Sequence, residues 1–373
     1  MKKILLVFGT RPEAIKMYPI IKECQKQKQL QIIVCVTGQH RDMLDQVLKC
    51  FNIKPKYDLN VMQSNQTLKT ITENILGKFT LVLQKEKPNL VLVHGDTTTA
   101  FSAALASFYM QIPIGHIEAG LRTHKLTPYP EEFNRVSIDH MSKYCFAPTT
   151  TAVNNLLLEG IEKSSIYLTG NTVVDTLKYT IEKVYSNPVL DWAAGSKLIL
   201  LTTHRRENIG QPMKLLFNSI KKILAFFPDV KIIYPIHPNP KIVEIVKKEL
   251  PSCDKLKIIE PMDVYNFHNT LARVDLVLTD SGGIQEEAIS LGKPVIVLRD
   301  NTERTESIQL GCAQLIGSNQ QKLLETVDKL LKKCNYKRNC NWEQSPYGDG
   351  YASERIVDIL LERIPKKLEN KSI

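Results

Sequence analysis

The chain has no apolar run approaching the ~18 residues a membrane span requires, so the sequence excludes a helical membrane protein. It also lacks a CxxC pair or knuckle spacing. Its eight cysteines fall singly, most beside apolar residues as in Val34-Cys35-Val36, and read as reduced core thiols rather than zinc ligands or disulfides. No small-residue cleavage site follows the opening MKKILLVFGT. Arg11, Pro12 and Glu13 come at once, so this stretch reads as a first strand instead of a signal peptide and predicts a cytoplasmic protein. The densest basic groups, KKCNYKR and KKLENK, lack interleaved aromatic residues, which argues against nucleic-acid binding. The net charge of +10 then suits an acidic small substrate. Finally, the first strand ends in Gly-Thr-Arg-Pro-Glu, not the GxGxxG loop of dinucleotide binders.

What is present is an alternating pattern. At 373 residues the chain exceeds one ordinary core, which predicts two domains. Apolar, β-rich runs lie at 4–10, 31–38, 90–96, 112–120, 144–149 and 165–171, then at 197–204, 230–237, 256–261, 276–280, 294–300 and 312–317, with helical stretches between. Continuous apolar runs are the mark of strands buried on both faces, and alternation with helices gives βαβ units. The expected fold class is α/β, with two doubly wound Rossmann-like domains. The expected divisions are 1–171, 172–350 and a terminal helical segment 351–373. The stretch 186–196, SNPVLDWAAGS, is the most linker-like.

Ligands of doubly wound sheets bind outside the carboxyl ends of the strands, and here those exits are polar. Arg11 leaves the first strand beside Pro12, a residue suited to a first helical turn, and points to an anion. The third run exits at His94-Gly95-Asp96-Thr97-Thr98-Thr99, more polar residues than one helix cap needs. The fourth delivers Glu118, and Pro130-Glu131-Glu132 follows, so Asp96, Glu118 and Glu131 are expected to converge. In the second half His204, Arg205 and Arg206 follow one strand and His237 the next. Ser281-Gly282-Gly283 sits where a strand turns into a helix, so bare N–H groups and the helix dipole would face a diphosphate. Glu287 lies one turn in, within reach of a ribose, and Phe267 is a stacking candidate.

Taken in order, GTRPEAIKMYPI, TGQHRDMLDQVL, HGDTTTAFSAALASFY, GHIEAGLRT, PEEFNR, GNTVVDTL, THRREN, TDSGGIQEEA and RDNTERTE resemble the non-hydrolysing UDP-N-acetylglucosamine 2-epimerase family over nearly the whole chain. The resemblance implies a glycosyltransferase-B-type fold with a cleft between the domains, a C-terminal helix crossing back onto the first domain, and a homodimer. By matching motif, Arg11, Ser281, Gly282 and Gly283 would hold the diphosphate, Glu287 the ribose, and Phe267 would lie by the uracil. Asp96, Glu118, Glu131 and His204 match catalytic positions, and Lys16 and Arg135 match positions lining the same cleft. Gln39, Arg205 and His237 match an activator site for a second substrate molecule. Asp42 and Asn65 replace that site's usual Gln and Arg; loss of the Arg removes a charge-assisted phosphate contact and predicts activation that is weakened or differently built.

The implied chemistry needs neither cofactor nor metal. The proton at carbon 2 of the sugar is hardly acidic until the diphosphate leaves carbon 1. The route therefore requires cations and N–H groups on the leaving group and carboxylates for proton transfer. Which carboxylate removes the proton and which returns it stays open, as does the polymer the product feeds. The alternatives are a 2-epimerase of another UDP-2-acetamido sugar, a hydrolysing relative that releases N-acetylmannosamine and UDP, a glycosyltransferase, or an inactive nucleotide-sugar sensor.

Overall fold

The structure is a computed structural model that describes residues 1–39, 41–62, 66–203, 205, 208–250, 253–317, 319–332 and 345–365. It divides into two compact units, residues 1–178 with 347–373 and residues 179–346. In the first unit, strands β1 (Lys2–Phe8), β2 (Leu30–Val36), β3 (Tyr57–Asp58), β4 (Leu90–His94), β5 (Ile114–Ile117), β6 (Tyr144–Ala147) and β7 (Ile166–Leu168) form one sheet, ordered β3-β2-β1-β4-β5-β6-β7. The second unit holds β8 (Lys197–Thr202), β9 (Val230–Pro235), β10 (Leu256–Ile259), β11 (Leu276–Thr279), β12 (Val295–Val297) and β13 (Ala313–Leu315), ordered β10-β9-β8-β11-β12-β13. All neighbouring strands in both sheets run parallel.

All twelve apolar runs form strands, and for the expected reason. Ile4, Leu5, Leu6, Val7 and Phe8 are all fully buried, although successive side chains point to opposite faces. Leu5 and Val7 pack with Ile75 and Phe79 of the helix Leu68–Glu86 and Ala103 of the helix Thr98–Tyr109. Two elements depart from expectation. The edge strand β3 was not foreseen, because two residues carry no readable period. The linker-like stretch at 186–196 is instead largely a helix, Pro188–Ala193, whose N-cap Asn187 accepts from the N–H groups of Val189 and Leu190. The cysteine reading is also corrected: Cys24, Cys35, Cys50, Cys145 and Cys253 are free, but Cys312 is disulfide-bonded. A disulfide depends on how closely two backbones approach, which linear spacing does not report.

The helix Ala352–Leu360 belongs to the first unit and packs on the helix Arg11–Gln25. Its N-cap Tyr351 provides no side-chain cap; Asp175 does so instead, accepting from the N–H groups of Ala352 (3.1 Å) and Ser353 (2.6 Å). Arg355 reinforces the join by donating to the Thr169 carbonyl (3.0 Å) and pairing with Asp349. Replacing Asp175 by Ala leaves two buried donors unsatisfied. The expected loss is about 2–4 kcal/mol of unfolding free energy, read as a lowered urea midpoint; an unchanged midpoint would show that the cap is not needed.

Candidate functional site

In the first unit the strand order reverses between β1 and β4, so a crevice opens at their carboxyl ends. Glu13, buried in the helix that follows β1, organises it. One carboxylate oxygen accepts from the Gly9 N–H (3.0 Å), the Thr10 N–H (2.8 Å) and the Thr10 hydroxyl (2.8 Å), and the other from the Thr97 hydroxyl (2.7 Å). The two strand exits are thereby tied together beside Arg11, which is half-buried. Thr97 also caps the helix Thr98–Tyr109. Thr99 is spent differently, donating to the Gln39 side chain from its N–H (3.2 Å) and hydroxyl (2.8 Å), so Gln39 lies in this same crevice. A side chain at Gly9 would collide with the hydroxyls of Thr37 and Thr99, so only glycine fits there.

Several expected residues meet nearby. Lys16 forms an ion pair with Glu118, and the same carboxylate oxygen accepts from the Asn171 amide at 2.9 Å. Glu118 holds a left-handed backbone with φ of 72°, a strained state for a non-glycine residue. Asp96 pairs with Arg135 at 2.7 Å, and the other terminal nitrogen of Arg135 stands 3.4 Å from Glu132. Among the described residues, Nε and Nη1 of Arg135 are buried and find no hydrogen-bond partner. Glu131 is half-buried in the first turn of the helix Glu131–Met141, one turn ahead of Arg135. Asp42 sits in the first turn of the helix Arg41–Cys50.

In the second unit the order reverses between β8 and β11. Here the buried carboxylate is Asp280, which accepts from the Arg205 N–H (3.0 Å) and the Asn208 amide (2.9 Å), again tying two strand exits. Ser281 is the N-cap of the helix Gly282–Ser290 but makes no side-chain cap, so the first-turn N–H groups are not covered from that side. A Cβ on Gly282 would lie 2.8 Å from the Arg304 guanidinium, which pairs with Glu286 (2.9 Å) and Glu303. Glu287 lies 3.6 Å from His268, whose other ring nitrogen meets the Thr180 hydroxyl at 2.8 Å. Phe267 is buried on the neighbouring helix Val264–Leu271, and Nδ1 of His237 accepts from the Asn239 N–H at 3.2 Å. His204, Arg206 and Asn65 lie outside the described residues. Among the described residues no three His, Cys, Asp or Glu side chains stand together as a metal cluster.

The family model for UDP-N-acetylglucosamine 2-epimerase matches residues 22–361. The chain belongs to the UDP-N-acetylglucosamine 2-epimerase family. As a member it is an isomerase. It is 49% identical over 360 residues to the UDP-N-acetylglucosamine 2-epimerase of Bacillus subtilis, covering 96% of this chain and 95% of that one. The S. aureus MnaA–UDP co-structure is similar at a TM-score of 0.92 and 47% identity, covering 98% and 99% of the two chains. The Neisseria meningitidis epimerase bound to UDP-GlcNAc matches at 0.91 and 46%, covering 97% and 100%. A glycotransferase of kitacinnamycin, 11% identical with a TM-score of 0.63, shares the fold alone. The α/β architecture is thus that of the 2-epimerases, in the glycosyltransferase-B manner.

Glu13, Asn171, Asp280 and Arg304 had no assigned part in the sequence reading. Only Glu13 had a readable signal, since Thr-x-x-Glu before an apolar run is a capping box. Burial pushes its carboxyl up to about 7, against the opposing effect of Thr97, Gly9 and Thr10. The folded epimerase therefore keeps a proton that the unfolded chain has released above pH 4.5. The resulting stabilisation is complete below that pH and is lost as pH rises through 7. Glu13→Gln, which mimics the protonated acid, should flatten this decline in urea midpoints between about pH 5 and 8. Parallel curves for variant and wild type would refute the assignment.

Proposed function

We infer that the chain interconverts UDP-N-acetylglucosamine and UDP-N-acetylmannosamine without hydrolysis, by elimination of UDP and its re-addition. The observation that carries the reading is the meeting of Lys16, Glu118 and Asn171 beside Asp96 and Arg135, carboxylates held among cations at one switch point. Further support comes from the glycine turn of the second unit, where Ser281 makes no side-chain cap to the helix Gly282–Ser290, an arrangement suited to an anion. Relatives solved with UDP and with UDP-GlcNAc agree with a ligand of this class.

In this reading Ser281, Gly282, Gly283 and Arg11 hold the diphosphate, Glu287 the ribose, and Phe267 the uracil. The bond from carbon 1 to the diphosphate breaks and its electrons leave with UDP. A carboxylate takes the proton from carbon 2, and that bonding pair becomes the double bond of 2-acetamidoglucal. Protonation from the opposite face and return of UDP complete the inversion. Asp96, Glu118, Glu131 and His204 divide the proton transfers and the stabilisation of positive charge. The enzyme then works in the cytoplasm as a homodimer, supplying precursors of cell-surface polysaccharide.

Turnover in deuterated water should place deuterium at carbon 2 of the product, followed by NMR. Unlabelled product would sink the elimination route, and free N-acetylmannosamine with UDP would name a hydrolase. Glu118→Gln should lower kcat by roughly 10²–10⁴-fold. With Asp42 and Asn65 at the activator positions, the rate should rise nearly hyperbolically with substrate. A strongly sigmoidal curve would contradict weakened activation.

A further inference from the structure

Glu118 is held in an unusual place. Its N–H and that of Ala119 both reach the Phe146 carbonyl, each at 3.1 Å, so the chain bulges where it leaves β5. Glu118 itself has φ of 72°, and a strained backbone persists only where its surroundings over-determine it. The side-chain contacts to Lys16 and Asn171 fix the carboxylate but do not touch the main chain.

Asp139, fully buried on the helix Glu131–Met141, grips the segment on both sides of that residue. One carboxylate oxygen meets Nδ1 of His116 at 2.6 Å, two positions before Glu118. The other accepts from the Gly120 N–H (3.1 Å), two positions after it, and from Arg122 (2.7 Å), four after it. Nε2 of His116 continues to the Gly95 carbonyl at 2.8 Å, so β4's exit is bound into the same clamp. A Cβ built on Gly95 would stand 3.3 Å from the Glu118 carboxylate. Gly120 is pinned in turn: its φ is 82°, any side chain there would strike the Ala152 carbonyl, and its own carbonyl accepts from Asn155 at 2.9 Å.

We propose that Asp139 is a positioning residue for the reaction, acting through Glu118 by clamping His116, Gly120 and Arg122 around it. Burial opposes ionisation of Asp139, but His116 and Arg122 outweigh it and hold the carboxyl below its ordinary value. The clamp is therefore charged as well as geometric. Because a displacement of about 1 Å at a proton-transfer group costs roughly 10² in rate, loosening the bulge should register in kcat rather than in substrate binding.

The proposal rests on the reading of Glu118 as a proton-transfer group, and a double-mutant cycle separates the two. Asp139→Asn should lower kcat about 10²-fold and leave KM within about threefold. In a Glu118→Gln background it should lower the residual rate of deuterium entry at carbon 2 no further, since the residue it positions is already disabled. Multiplying losses in the double variant, or full activity of Asp139→Asn beside an impaired Glu118→Gln, would overturn the clamp. An unchanged rate in Glu118→Gln would overturn the reading of Glu118 and the role of Asp139 with it. If Asp139→Asn does not fold, His116→Gln takes its place with the same expected result: its amide keeps the bond to Gly95 and loses that to Asp139.

Discussion

A parallel sheet buried on both faces leaves no place for polar chemistry except where its strands end. Ile4 to Phe8 and Leu90 to Val93 are fully buried along their whole length, and so are Leu276 to Leu278 in the second unit. Each such side chain contributes about 1.5–3 kcal/mol by leaving water, so the strands themselves cannot be given over to charge. The candidate residues therefore gather at strand exits, those of β1 and β4 with β5 beside them and those of β8 and β11, around the two places where strand order reverses.

Each unit solves the same local problem with a buried carboxylate. Loops that leave adjacent parallel strands have no ladder partners left, and their N–H groups need acceptors. Glu13 supplies them to Gly9 and Thr10 and reaches across to Thr97; Asp280 supplies them to Arg205 and Asn208. Asp139 repeats the device at β5, with His116 carrying it to the exit of β4. These carboxylates are placed behind the candidate residues. Charged side chains at the exits are consequently held on a framework that is already hydrogen-bonded, which is how a site keeps its geometry without exposing backbone.

Buried ion pairs such as Lys16–Glu118 and Arg304–Glu286 carry a desolvation cost that their attraction repays only when other hydrogen bonds complete them. They are poor devices for stability and suitable ones for chemistry in which charge moves. The proposed loss of a diphosphate from carbon 1, with transfer of a proton at carbon 2, would demand fixed cations and fixed carboxylates, arranged before the substrate arrives.

Much of this could be read directly from the amino acids. Periodicity reports local burial, so the apolar runs became strands, and chemistry at strand exits followed from the parallel arrangement. Ser281-Gly282-Gly283 and Arg11 could be named as anion-site candidates because their residue types suit an anion wherever a strand turns into a helix. Other features depend on which distant segments meet, and no linear pattern encodes that. The return of Ala352–Leu360 to the first unit hangs on Asp175, 177 positions from Ala352 in the chain. The two-residue strand β3, the disulfide at Cys312 and the pairing of Asp96 with Arg135 are of the same kind. Glu13 lies between these cases. Its capping role was written in four residues, but its raised pKa arises only once the surrounding fold has excluded water from it.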